Sequence, residues 1–155
     1  MDQNRATCFY SGLSPWAPGT AGSIVAAIVG VLLLQYIEVN TLLLLTTLIT
    51  IIGIKQINIY EKETKIHDDK SIVIDEVVGL WLAFVIASDN WTQIVLSFVF
   101  FRIFDIWKPS FIGRIDKNVK GGLGVMGDDL LAGLLAGICS SAVWKILEYL
   151  FNNLL

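Results

Sequence analysis

FVFFRIFDIWKPSF, residues 98–111, decides how this chain is read. Its aromatics and branched aliphatics are dense enough for a membrane segment, yet Arg102, Asp105 and Lys108 interrupt them at three-residue intervals. Residues three apart on a helix share one side, so the three charges form a stripe on an otherwise apolar rod. Charges inside a membrane segment are costly and face a protein interior or an aqueous cavity. The stripe therefore predicts a polar centre inside a lipid-embedded helical bundle.

Composition points the same way. The chain has 155 residues, enough for one domain, 1–155, and too few for two. Hydrophobic residues make up 55% before glycine is counted, charged residues only 16%, and the mean hydropathy is +0.68. A soluble domain of this size has too little interior for that much apolar surface, and a soluble helical bundle with a large core is the weaker alternative. A net charge of −3 supplies no basic surface for nucleic acid. Cys8 and Cys139 offer neither a disulfide framework nor a metal-ligand spacing. The opening MDQNRATCFYSG is polar and carries no signal-peptide core.

Five apolar segments are legible, at 22–37, 41–59, 72–88, 91–107 and 130–151. Most are a little under the ~20 residues of a full helical crossing. EVN near residue 39 and SDN near residue 89 read as tight helix–helix joints. The longer connections, 1–21, 60–71 and 108–129, are polar and hold or border every Lys and Arg except Lys145. The positive-inside rule then predicts a cytoplasmic N-terminus and both long loops on the same side. The expected fold is all-α: a multi-helical integral membrane bundle of about five apolar helices, with a polar active site at its cytoplasmic end.

That topology gathers the unusual residues. Asp75 and Glu76 begin the third segment, Arg102, Asp105 and Lys108 close the fourth, and Asp128 and Asp129 open the fifth. Helix capping by the macrodipole accounts for acids at N-termini but not for Asp105, near a C-terminus. Steps of four lead from Asp75 to Gly79 and Ala83, and from Asp129 to Gly133, Gly137 and Ser141. Seams of small residues let membrane helices approach closely, so the third and fifth segments should pair and bring Asp75 beside Asp129. Clustered carboxylates repel unless protonated or bridged by a cation. A hard oxygen donor set almost without histidine suits Mg²⁺, with a salt-bridged cluster through Arg102 and Lys108 as the alternative.

Two glycine-rich stretches add phosphate chemistry. GLSPWAPGTAGS, 12–23, precedes a helix, and its Gly19, Thr20 and Ser23 could present amides and hydroxyls to a phosphate. GGLGVMGDD places Gly121 and Gly122 beside the acids. With Arg102 and Lys108, the set points to metal-assisted chemistry on a phosphate presented at the bilayer. Several mechanisms drop out by count. One histidine, His67, cannot serve a two-histidine phosphatase; no Cys has Arg six residues later; and neither DxDx(T/V) nor DGxxAR occurs.

SGLSPWAPGTAGS, IHDDKSIVIDEVVGLW, FRIFDIWKP and IDKNVKGGLGVMGDDLLAG, in that order, resemble the bacterial phosphatidylglycerophosphatase A family across most of the chain. The chain departs from the family pattern at Asp69 and at Ser110–Phe111, outside the acidic set. The resemblance implies an Mg²⁺-dependent enzyme of the bacterial inner membrane that hydrolyses phosphatidylglycerophosphate to phosphatidylglycerol and phosphate. Its expected partners are the membrane and a phospholipid substrate. On that reading Asp75, Glu76, Asp105, Asp128 and Asp129 are candidate metal ligands. Asp105, Asp75, Glu76 and Asp129 are also the candidate catalytic acids, with Asp105 a candidate base for metal-activated water and an aspartyl-phosphate intermediate as the alternative, and His67 is a candidate donor to the leaving alkoxide. Arg102 and Lys108, with Gly19, Thr20, Ser23, Gly121 and Gly122, are candidates for holding substrate. A phosphatase for another lipid phosphate and a non-enzymatic Mg²⁺-binding membrane protein are the alternatives. A carrier, however, would need polar residues through the membrane, and the far halves of these segments are almost wholly apolar.

Overall fold

The computed structural model describes residues 18–65, 73–87, 90–109, 112–113 and 119–154. They form five helices: α1 Pro18–Tyr36, α2 Val39–Thr64, α3 Ile74–Ile86, α4 Trp91–Trp107 and α5 Gly122–Leu154. The described residues contain no strand.

Local chemistry sets several boundaries. Asn90 caps α4 through its side chain, which accepts from the Gln93 amide at 2.9 Å. Lys65 and Lys108 close α2 and α4 in left-handed conformations, with φ of 62° and 42°. Their amides return to Glu61 and Phe104, a standard helix stop. Pro109 follows Lys108 and prevents α4 from continuing.

α3 is the centre of the bundle and touches all four other helices. Val78, Leu80, Ala83 and Phe84 are buried on its several sides. Trp81 ties it to α1 by donating from Nε1 to the Ala26 carbonyl at 2.8 Å. The predicted pairing of α3 with α5 is present. A Cβ at Gly79 would strike the Asp129 backbone, and one at Gly133 would strike the Gly79 backbone. Further along, Gly137 packs on Ile86 and Ala83, and Ser141 donates to the Ile86 carbonyl at 3.3 Å. Backbone approach this close requires glycine.

Two expectations are corrected. Among the described residues only α2 and α5 are long and apolar enough to cross a membrane, and α1 is apolar but shorter. α3 has 13 residues, a rise of ~20 Å against a hydrocarbon thickness of ~30 Å, and it is wrapped by protein rather than lipid. α4 carries Arg102 and Asp105 within its 17 residues. The outward faces of the surrounding helices are nevertheless apolar: Ile28, Leu32, Leu44, Val95 and Ile138 are all exposed. A belt that large suits lipid contact better than water.

The second correction is to the start of α5. GGLGVMGDD does not form a loop before the helix; its residues from Gly122 onward are helical. Glycine is a poor helix former in water, but here it serves close packing. A Cβ at Gly122 would meet the backbone of Ile54, and one at Gly124 the backbone of Val119. Likewise Gly19, Thr20 and Ser23 lie inside the first turns of α1.

Candidate active site

Three helices deliver acids to one end of the bundle. Asp75 and Glu76 occupy the first turn of α3 and are buried. Asp128 and Asp129 are buried in α5; they lie two turns into the helix, where the N-terminal macrodipole no longer explains them. Asp105, near the end of α4, completes the set. The charges of Asp75, Asp105, Asp128 and Glu76 all act on Asp129, so the five carboxylates expected from the sequence do converge.

Arg102 is the hub of the polar network. Its Nη1 donates to Asp105 Oδ2 at 2.6 Å and to Ser23 Oγ at 2.8 Å, and lies 3.9 Å from Glu76 Oε1. Its Nη2 donates to Thr20 Oγ1 at 3.3 Å. Ser23 passes the connection on by donating to Glu76 Oε2 at 2.6 Å. Gly22 makes this junction possible, because a Cβ there would collide with Val73 and crowd Glu76. Thr20 and Ser23 therefore stand at the site as hydroxyls on a helix, not as residues of an open loop.

Lys108 does not extend the Arg102–Asp105 stripe. Its left-handed conformation peels it away from α4, and its Nζ meets Asp128 Oδ2 at 2.7 Å. One cation thus serves α1, α3 and α4, while the other bridges α4 to α5. The ion pairs among the described residues leave Asp129 without a cation.

The glycines after residue 120 divide in role. Gly121 turns the chain at φ 79°. The Gly122 amide donates to Asn58 Oδ1 at 2.8 Å, so it is engaged by α2 rather than turned toward a ligand. Asn58 has one signal in the sequence, an amide in the otherwise apolar run INIY. His67 lies outside the described residues.

For a metal ion, no three His, Cys, Asp or Glu side chains among the described residues already surround a common point. The donor chemistry nevertheless fits Mg²⁺, which is commonly held by one or two carboxylates together with water and substrate phosphate. Asp129, buried among like-charged carboxylates and without a cation partner among the described residues, is the group such an ion would relieve most.

The fold and the cluster together define a helical membrane-associated protein whose acid-rich centre is suited to phosphate chemistry. Residues 5–144 match the family described as phosphatidylglycerophosphatase A, and the chain belongs to that family. It is 41% identical over 135 residues to phosphatidylglycerophosphatase A of Escherichia coli, covering 86% of this chain and 78% of that one. The Haemophilus influenzae phosphatidylglycerophosphatase A is 39% identical, with 89% and 85% covered. A putative phosphatidylinositol-3-phosphatase of Bacteroides thetaiotaomicron is 40% identical, with 90% and 92% covered. No solved structure shows significant similarity.

Proposed function

We propose that the chain is an Mg²⁺-dependent phosphatase that converts phosphatidylglycerophosphate to phosphatidylglycerol and phosphate. It acts as a multi-pass protein of the bacterial inner membrane with its site facing the cytoplasm. The observation that carries the reading is the convergence of five carboxylates from three helices with Arg102 and Lys108 at one end of the bundle. The kinship with the E. coli and H. influenzae enzymes supports the substrate. The distribution of Lys and Arg supports the orientation.

In this reading Arg102 receives the phosphate, since its guanidinium is held at the site by the accepting oxygens of Thr20, Ser23 and Asp105, and a guanidinium binds phosphate through several N–H groups at once. Lys108 balances charge near Asp128 and contributes to phosphate binding. Asp129, with a carboxylate drawn from Asp75, Glu76 and Asp128, would hold the metal together with water and substrate phosphate, and Asp105 takes the proton of the attacking water. The P–O ester bond breaks as the P–OH bond forms, and the glycerol oxygen leaves with a proton. His67 is the candidate donor of that proton. Bound Mg²⁺ would polarise the phosphoryl oxygens and lower the pKa of water.

Purified protein in liposomes should release phosphate from phosphatidylglycerophosphate, stop in EDTA and recover with added Mg²⁺. Full activity in chelator would remove the metal from the proposal. The Bacteroides relative favours a second reading, hydrolysis of phosphatidylinositol 3-phosphate. Faster release from that lipid in the same assay would replace the first substrate with the second.

A further inference from the structure

The Ser23 hydroxyl bridges two opposite charges. It donates to Glu76 Oε2 at 2.6 Å and accepts from Arg102 Nη1 at 2.8 Å. A hydroxyl carries a single hydrogen, and this one is committed to Glu76. The residue is also fully buried, at 0% exposure. With no proton to offer and no open side, Ser23 has nothing to present to a phosphate. Arg102 and Glu76 do not bond each other: Nη1 lies 3.9 Å from Oε1, beyond hydrogen-bond reach. Nη1 carries two hydrogens, and Asp105 and Ser23 take one each. Thr20 Oγ1 accepts from Nη2 at 3.3 Å. The Nε hydrogen and the second on Nη2 meet no partner among the described residues.

We propose that Ser23 is a positioning residue: it holds Arg102 away from Glu76, so that the guanidinium stays available to phosphate and the carboxylate to a cation. The inference rests on the Mg²⁺ phosphatase reading above and deepens it, taking Glu76 as the carboxylate that joins Asp129 and assigning the site a residue that touches neither metal nor substrate. Without the hydroxyl, one Nη1 hydrogen loses its acceptor, and a buried unpaired donor is costly. Glu76 Oε1 at 3.9 Å is the acceptor on hand, and opposite charges attract strongly where water is scarce. Arg102 would close onto Glu76 as a direct ion pair. The acid would then be neutralised before a metal arrives.

Mg²⁺ binding to the purified full chain in detergent, followed by calorimetry without substrate, tests this. Ser23→Ala should weaken the Kd about tenfold, the lower end of the loss usual when a group that supports a metal ligand is removed. In an Arg102→Met background the same change should move the Kd by less than about twofold, because the cation that closes on Glu76 is gone and the two effects are coupled. Ser140→Ala removes an equally buried hydroxyl that bonds only the Gly137 carbonyl, and it should leave the Kd unchanged. Ser23→Cys keeps the shape with a weaker donor. It should fall between wild type and Ser23→Ala, and it carries the test if the alanine variant folds poorly.

An unchanged Kd in either Ser23 variant overturns the proposal. So does an equal loss with and without Arg102, which is what a merely structural serine gives. Wild-type protein that hydrolyses lipid phosphate yet binds no Mg²⁺ would be a different failure: it removes the metal from the phosphatase reading, and the role of Ser23 toward Glu76 goes with it.

Discussion

The seam between α3 and α5 has two ends, built alike in backbone and opposite in chemistry. Near Gly79 and Gly133 the two helices touch backbone to backbone, and five carboxylates, two cations and two hydroxyls crowd the same region. Near Ile86, Gly137 and Ser141 the packing is also close, but no charge takes part: Ser141 bonds a carbonyl, and Ser140 folds back on Gly137 at 3.2 Å. The second end shows that these helices pack without ions. Charges at the first end are therefore not needed to hold the seam, and their desolvation cost calls for another purpose.

The sharpest way to break that contrast is Asp129→Asn. The amide keeps the shape, and Asp129 pairs with no cation among the described residues, so no partner is stranded and the neighbouring carboxylates repel less. If the polar end exists for chemistry, turnover should fall by about 10²–10³, the usual loss for one electrostatic contact to a transition state. Melting temperature should hold or rise. Normal turnover in this variant would mean that the acids serve structure after all. Asp105→Asn is a less clean probe, because it releases Arg102 from its 2.6 Å contact and can destabilise by ~3–5 kcal/mol for that reason alone.

Gly133→Val tests the other half of the comparison. Its added carbons would meet the backbone of Gly79, which cannot rotate aside as a side chain can. Overpacking of this kind typically costs ~1–3 kcal/mol. Thermal unfolding in detergent should shift down clearly, with turnover falling because Asp129 moves with the helix. An unshifted melt would show that α3 and α5 do not depend on the seam.

How far the sequence foretold this arrangement depends on the element. Trp91–Trp107 was legible to the residue, because Asn90 announces its cap and Pro109 its end. The α3–α5 seam was legible too, since small residues at steps of four have few other uses between apolar helices. α5 was read eight residues short: glycine and acid together look like a loop when water is the solvent, and nothing in GGLGVMG shows that Ile54 and Val119 lie against it. The grouping of the acids followed from counting segments, whereas the pairing of Ser23 with Glu76 and Arg102 did not. That contact joins residues 53 and 79 positions apart, and no local spacing encodes it. Asn58 was missed for the same reason. Lys108 was placed on the stripe because periodicity continues past a helix end on paper, while a left-handed residue ends it in three dimensions.

Gln93→Leu should produce the smallest effect, and it is the one that probes the uncharged end directly. Gln93 lies in the first turn of α4 and is 1% exposed. Its backbone amide is satisfied by Asn90, yet among the described residues neither Oε1 nor Nε2 of its side chain meets a partner. An unpaired buried amide costs ~1–3 kcal/mol in proteins generally. In a membrane the reference state also finds partners, so measured polar contributions there are nearer ~0.6 kcal/mol. Leucine has a similar volume and no polar atom, so melting temperature should rise by a small margin while turnover stays within about twofold of wild type. That combination would fix this end as pure packing and leave the acidic end as the sole seat of chemistry. A lower melting temperature would mean that the amide is held by something it gains in the bilayer, either an enclosed water or a second protein surface. A loss of turnover without loss of stability would go further. It would place a functional polar group at both ends of the bundle, and the argument that separates a chemical end from a packing end would fail.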